Sequence, residues 1–145
     1  MGTETNKEII RRLAEEPWRG NFDVVDEHVA DDYVGHDPSN PEPLRGPDGV
    51  KEFIRTYRTA FRDARITVEH QFAEGDFVAT RWSGRGIHEG ELMGVQPTGK
   101  EATVSGITIS RLRNDKVVEE WTNWDTLGML QQVGAIPTGA AAQTR

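Results

Sequence analysis

The chain has 145 residues, of which 28% are charged and 35% hydrophobic, with 17 Lys and Arg against 24 Asp and Glu. This length allows one domain with a real core, and the composition is that of a globular protein. The net charge of −7 argues against nucleic acid and anionic membranes as partners. Because there is no cysteine, disulfides, thiolate nucleophiles and Cys-ligated metal sites are excluded.

The N-terminal residues are polar and do not resemble a signal peptide. No apolar run approaches the ~18 residues that a membrane helix needs. We therefore expect a soluble, cytoplasmic protein. The interpretation is one domain over residues 1–137, followed by a small, polar and disordered tail over 138–145.

Helical patterns come first along the chain. Thr5 and Glu8 have the spacing of a capping box, and the apolar residues after them predict a helix that ends near Pro17. Asn21 is a suitable cap for a second, short helix. A Pro-rich loop starts at Tyr33, and Pro47 suits the first turn of a third helix. The apolar face of this third helix is Val50, Phe53, Ile54, Tyr57 and Phe61.

The apolar period then changes from helical to two, which is typical of strands. A hairpin turn is predicted at residues 113–116, and a short helix that ends at Gly134 closes the chain. The predicted strands cover 66–72, 77–85 with a continuation past a bend at 88–95, 102–113, and 117–125. This order predicts an α+β fold: a cone-shaped, curved antiparallel or mixed sheet with three N-terminal helices and a short C-terminal helix.

Asp125 is the first candidate for chemistry. Strict alternation along the last strand places it on one face with Trp121 and Asn123, a mixture of aromatic and polar groups typical of a small-molecule site. An apolar wall would raise the pKa of this carboxyl and suit it to proton transfer. Its position just before a helix favours an N-cap instead, and the two roles are compatible.

Other polar and aromatic residues have competing interpretations. His88 has the chemistry for proton transfer, but it could equally be a polar loop histidine. His36 could bond a ligand at the mouth of the cone, although loop support by Asp37 is the commoner use of such a segment. For Arg81, a surface ion pair is favoured over a buried role. The four tryptophans could form a stacking platform or simply fill the core: Trp18, Trp82, Trp121 and Trp124.

Several segments together resemble the SnoaL-like polyketide cyclase family, within the nuclear transport factor two-like superfamily. The resemblance extends from about Thr5 to Gly134. His88 falls in a segment where the family has Gly-Thr-His and this chain has Ile87 in place of the threonine. The segments that carry the resemblance are 33–38 (YVGHDP), 46–53 (GPDGVKEF), 61–69 (FRDARITVE), 74–82 (EGDFVATRW), 94–100 (GVQPTGK) and 119–125 (EEWTNWD).

The resemblance implies an aldol-type ring closure without metal or cofactor, in which the aspartate matched by Asp125 protonates the attacked carbonyl oxygen. It also implies pairing into a homodimer or a tetramer. The apolar residues on the open side of a curved sheet are usually covered by a second copy, which favours the same expectation. His88 is the second predicted catalytic residue. The predicted substrate-binding residues are His36, Tyr33, Trp18, Trp82, Trp121, Phe53, Tyr57 and Thr108.

Three functions are therefore open. The first is a cofactor-independent enzyme, a cyclase, isomerase or hydroxylase, that performs acid–base chemistry on a largely apolar small molecule. The second is a protein of the same fold that binds such a molecule without transforming it. The third is a scaffold whose cone is filled by its own aromatic side chains. Fold alone does not decide among them.

Overall fold

The computed structural model describes residues 2–137, and the predicted disorder of 138–145 lies outside this range. Within it, four helices and one six-stranded sheet form an α+β structure, which confirms the predicted fold class. The helices are α1 (Thr3–Glu15), α2 (Asp23–His28), α3 (Gly46–Ala60) and α4 (Thr126–Gln132), with a 3₁₀ turn at Pro17–Arg19. The strands are β1 (Val29–His36), β2 (Leu44–Arg45), β3 (Phe61–Glu74), β4 (Phe77–His88), β5 (Glu101–Arg113) and β6 (Lys116–Trp124).

The sheet is mixed, curved and unclosed, with strand order β2-β1-β6-β5-β4-β3. Strands β1 and β6 are parallel, and the other neighbours are antiparallel. Asn114 and Asp115 have positive φ of 53° and 63° in the β5–β6 turn, which is the geometry of a tight hairpin. The predicted hairpin at residues 113–116 is thus confirmed.

Two buried clusters hold the helices against the sheet. The larger one joins α1 and α2 to β1 and to the ends of β4, β5 and β6, and it includes Ile10, Val25, Val78 and Val117. The smaller one joins the C-terminal end of α3 and the start of β3 to α4 through Phe61, Met129 and Val133. Between the two clusters the sheet and the helices enclose a cavity.

The structure corrects several element boundaries. Strand β1 was not predicted, because residues 29–36 do not alternate in polarity and Asp31 and Asp32 are exposed. Phe61 begins β3 instead of ending α3. Helix α1 begins at Thr3 with Gly2 as its N-cap, so Thr5 caps no helix. Strand β4 ends at His88, and the segment that follows contains one bridge, between Leu92 and Val95, instead of a continued strand.

A bulge in β6 has the largest consequence for the site. Leu112 of β5 pairs with Val117, but the preceding Arg111 pairs with Glu119, so Val118 is the extra residue. Val117 and Val118 are both buried. Beyond this point the alternation of β6 is reversed, and even-numbered residues face the helices. Strict alternation, which placed Trp121, Asn123 and Asp125 on the inner face, is therefore wrong.

Candidate active site

A largely apolar cavity of about 240 Å³ lies between the inner face of the sheet and helices α1 and α3. Three successive cross-strand rows of β4, β5 and β6 lie on its sheet side. Six of their residues line the cavity: Thr80, Trp82, Thr108, Glu120, Thr122 and Trp124. The acid row is Val78, Ser110 and Glu120. The hydroxyl row is Thr80, Thr108 and Thr122. The indole row is Trp82, Gly106 and Trp124.

Glu120 is the carboxyl of the acid row. Tyr33 Oη donates to its Oε1 at 2.8 Å, and Ser110 Oγ donates to its Oε2 at 2.6 Å. Tyr33 reaches it by lying over Gly35, which pairs with Glu120 in the sheet. A Cβ at Gly35 would lie 2.5 Å from Tyr33 Oη, so the glycine is required for this approach.

Burial dominates the electrostatics of this group. It raises the pKa of Glu120, although the hydrogen bonds from Ser110 and Tyr33 act in the opposite direction. Burial also raises the pKa of Tyr33 well above its usual value, and the neighbouring Glu120 adds to that shift. Tyr33 therefore stays a neutral donor. The arrangement is a shielded carboxyl poised to carry a proton beside an apolar chamber.

A second carboxyl lines the cavity at the start of the Pro-rich loop. Asp37 Oδ2 accepts from Trp124 Nε1 at 2.9 Å, and its Oδ1 accepts from the backbone N–H and the hydroxyl of Ser39. Tyr57 lies near this carboxyl with its ring edge-on to Trp124. Burial, followed by the charge of Asp37, raises the pKa of Tyr57 to about 12. The loop support expected of Asp37 is thus present.

The hydroxyl and indole rows are linked by hydrogen bonds. Trp82 Nε1 donates to Thr108 Oγ1 at 3.1 Å, and Thr108 Oγ1 lies 2.8 Å from Thr122 Oγ1. Gly106 leaves room for the ring of Trp82, because a Cβ there would lie 2.4 Å from the indole. The sheet wall of the cavity therefore carries polar atoms in an otherwise aromatic and aliphatic lining.

The structure brings together most of the predicted binding residues. Seven of them line the cavity: Trp18, Tyr33, His36, Phe53, Tyr57, Trp82 and Thr108. His36 does so only at the edge. Its imidazole turns to the outer face of the sheet, where Nε2 hydrogen-bonds Glu119 Oε2 at 2.8 Å and the ring stacks on Trp121. Trp121 itself is on the outer face and lies outside the cavity.

The two predicted catalytic residues do not reach the cavity. Asp125 is exposed, and its Oδ1 accepts from Gly128 N at 2.8 Å as the N-cap of α4. It borders only a shallow depression on the outer face, beside Arg81 and Ile107. Arg81 is an exposed arginine as expected, although its partner is His70 instead of a glutamate.

His88 is fully buried behind Phe61, away from the cavity lining. Its Nδ1 lies 3.3 Å from Thr98 N and 3.1 Å from Thr98 Oγ1. Its Nε2 has no hydrogen-bond partner within residues 2–137. The histidine anchors the segment after β4 and does not face a ligand.

The sequence interpretation missed Glu120, Ser110, Thr122 and Thr80, because each depends on the register of the sheet. The adjacent valines at 117 and 118 are the one local hint, since two consecutive buried residues in a strand are what a bulge permits. That signal is weak, because a strand covered on both faces would have the same pattern.

The profile of the SnoaL-like polyketide cyclase family matches residues 7–133. The chain belongs to this family. DnrD, an aklanonic acid methyl ester cyclase of Streptomyces peucetius, is 29% identical over 134 residues that cover 90% of this chain and 91% of the relative. The resemblance stated from the sequence motifs is therefore confirmed.

Solved structures show the same relationship. IdmH of Streptomyces antibioticus, a proposed polyketide cyclase, superimposes with a TM-score of 0.77 at 33% identity over 89% of this chain and 98% of its own. AclR of Streptomyces galilaeus, a proposed hydroxylase, gives a TM-score of 0.83 at 26% identity over 99% of this chain and 90% of its own. Within residues 2–137, no helix is long and apolar enough to cross a membrane.

Proposed function

We propose that this protein is an enzyme that catalyses acid–base chemistry, in the manner of an aldol-type ring closure, on a largely apolar polyketide-like molecule bound in the cavity. The observation that carries the proposal is the half-buried Glu120 side chain, whose carboxyl is held by Tyr33 and Ser110 at the cavity wall. The cavity volume of about 240 Å³ lies just below the ~300–1,000 Å³ typical of sites for drug-sized ligands, so part of a larger ligand would extend beyond it.

The raised pKa of Glu120 sets its role. In its protonated form, Glu120 donates a proton to the carbonyl oxygen under attack while the new C–C bond forms. The nucleophile is the enol form of the substrate, and the resulting carboxylate takes the proton that the enol oxygen loses as it becomes a carbonyl, so the product is an isomer of the substrate. Tyr33 and Ser110 stabilise the carboxylate between these two transfers. The aromatic wall folds the chain so that its reacting carbons meet.

Aklanonic acid methyl ester, the compound in the name of the DnrD relative, is the first substrate to test. We expect the wild type to convert it to a ring-closed isomer, and chromatography measures the conversion over time. Glu120→Gln keeps the shape of the side chain but cannot exchange the proton, and should lower the rate by about 10²–10⁴-fold, the range for a general acid or base. Binding of the ester, measured by quenching of tryptophan fluorescence, should persist.

Asp125→Asn is the matched control, because it changes a carboxyl to an amide outside the cavity. It should retain turnover, with a small loss of stability from the altered cap. Loss of turnover in Asp125→Asn with full activity in Glu120→Gln would contradict the proposal. Tight binding of the ester by wild type without conversion would favour the binding protein instead.

We also propose that two copies pair through the outer face of the sheet. This face exposes large apolar side chains on neighbouring strands, including Ile107, Ile109 and Trp121, and single soluble domains rarely leave such a patch uncovered. Ile109→Glu should convert a dimer to a monomer in light scattering after gel filtration. Leu127→Glu is the control, because Leu127 is even more exposed than Ile109 but lies on α4. A monomeric wild type would contradict this pairing.

A further inference from the structure

Two threonines of the hydroxyl row, Thr108 and Thr122, form a hydrogen-bonded chain with Trp82 that has one more proton to donate than its own members accept. Trp82 Nε1, Thr108 and Thr122 carry three donor protons, and the two hydrogen bonds that join them use only two. Within residues 2–137, neither threonine hydroxyl has a further hydrogen-bond acceptor. Because both side chains line the cavity, the remaining proton is available to a ligand.

The direction of this chain places the free proton on Thr122. The indole N–H can only donate, so Thr108 Oγ1 accepts from Trp82. A hydroxyl that accepts a hydrogen bond becomes a better donor, and the favoured order is therefore Trp82 to Thr108 to Thr122. Thr122 ends the chain, and its own proton is not used by its one side-chain partner, Thr108.

Thr122 also has a fixed spacing from the proposed acid. Glu120 and Thr122 are two residues apart on the same face of β6, so their side chains are about 7 Å apart along the strand. Their cross-strand partners, Ser110 and Thr108, keep the same spacing on β5. A ligand that spans these two rows meets a proton-exchanging carboxyl at one and a neutral donor at the other.

We propose that Thr122 is a specificity-determining residue that binds a carbonyl oxygen of the ligand and so sets which of its atoms lies at Glu120. The ligand class is a cyclic compound with a carbonyl oxygen about 7 Å from its reacting centre. This inference rests on the proposed function, since it assumes that the ligand occupies the same cavity. It adds a donor that recognises the ligand without exchanging a proton.

The test compares two probes with one carbon skeleton: 1-tetralone, which has a carbonyl group, and tetralin, which lacks it. Dissociation constants from isothermal titration calorimetry give the preference of each variant for the ketone. Wild type should prefer 1-tetralone, and Thr122→Val should reduce that preference roughly three- to tenfold, the factor for one neutral hydrogen bond. Thr122→Ser, which keeps the hydroxyl, should retain it.

Thr103→Val is the control, because this exposed threonine of β5 loses the same hydroxyl outside the cavity. If Thr122→Val does not fold, Thr122→Ala removes the hydroxyl without branching. An unchanged ketone preference in the Thr122 variants, no preference in wild type, or no binding of either probe would overturn the inference. Because the readout is binding, inactivity toward the ester would refute the proposed function and leave this result intact.

Discussion

Two adjacent carboxyl groups of β6, Glu119 and Glu120, have opposite environments. Glu119 is on the outer face, where hydrogen bonds from His36 and Arg111 lower its pKa. Glu120 is on the inner face, where burial raises its pKa. The two side chains are chemically identical, and the bulge at Val118 decides which of them enters the cavity. The position of one extra residue in a strand thus determines which of two identical carboxyl groups lines the cavity.

The two faces also differ in how tightly they are packed. On the inner face, Gly35 leaves room for the ring of Tyr33 and Gly106 leaves room for the ring of Trp82. The outer face instead leaves Ile107 and Ile109 exposed. A methyl group added on the inner face should therefore cost stability, whereas loss of an ion pair on the outer face should cost little. The following variants test this contrast, from the largest expected effect to the smallest.

Gly106→Ala should have the largest effect. Its Cβ would lie 2.4 Å from the ring of Trp82 and 2.7 Å from Trp124 Cβ, so both side chains must move. We expect a loss near the upper end of the ~1–3 kcal/mol typical of overpacking, measured by urea denaturation, together with loss of ligand binding.

Gly49→Ala is its matched control in α3. There the new Cβ meets only ordinary contacts, at 3.6 Å or more, and alanine is the better helix former. This variant should be as stable as wild type or more stable, by up to about 1 kcal/mol. Equal losses in the two glycine variants would show that the inner face is not closely packed.

Tyr33→Phe should have the next largest effect. It removes the donor to Glu120 Oε1 and leaves a buried carboxylate with one hydrogen bond fewer, which costs about 2 kcal/mol. The hydrogen bond from Tyr33 lowers the pKa of Glu120, so its loss should raise that pKa further. The destabilisation should accordingly be larger at pH 7 than at pH 4. A loss that is independent of pH would contradict the assigned contact.

Arg111→Gln tests the other face and should have the smallest effect. It removes a half-exposed partner of Glu119, and ion pairs in contact with solvent contribute at most about 1 kcal/mol. Any loss should decrease in high salt, because exposed charges are screened. A salt-independent loss as large as that of Tyr33→Phe would remove the distinction between the two faces.

Much of the fold could be predicted from the sequence, and the candidate site only in part. Apolar periodicity identifies the helices and the long strands because it is local. The aromatic lining was predicted for the same reason, since Phe53 and Tyr57 lie on the apolar face of a clear helix. The place of Glu120 in the lining was not predicted, because the face on which it lies depends on the pairing of β6 with β5 across the bulge. Asp125, favoured by strict alternation, is the helix cap that its position also suggested.

The most direct test of the central claim is the separate titration of the two glutamates by carbon-13 NMR of their carboxyl groups, assigned with Glu119→Gln and Glu120→Gln. The account predicts that Glu120 titrates above its usual value of 4.5 and Glu119 below it. Stability contributed by Glu119 should then be present above pH 4.5 and lost as the pH falls through its folded-state pKa, whereas Glu120 should lower stability as the pH rises above 4.5. Coincident titrations, or Glu120 titrating below Glu119, would contradict it.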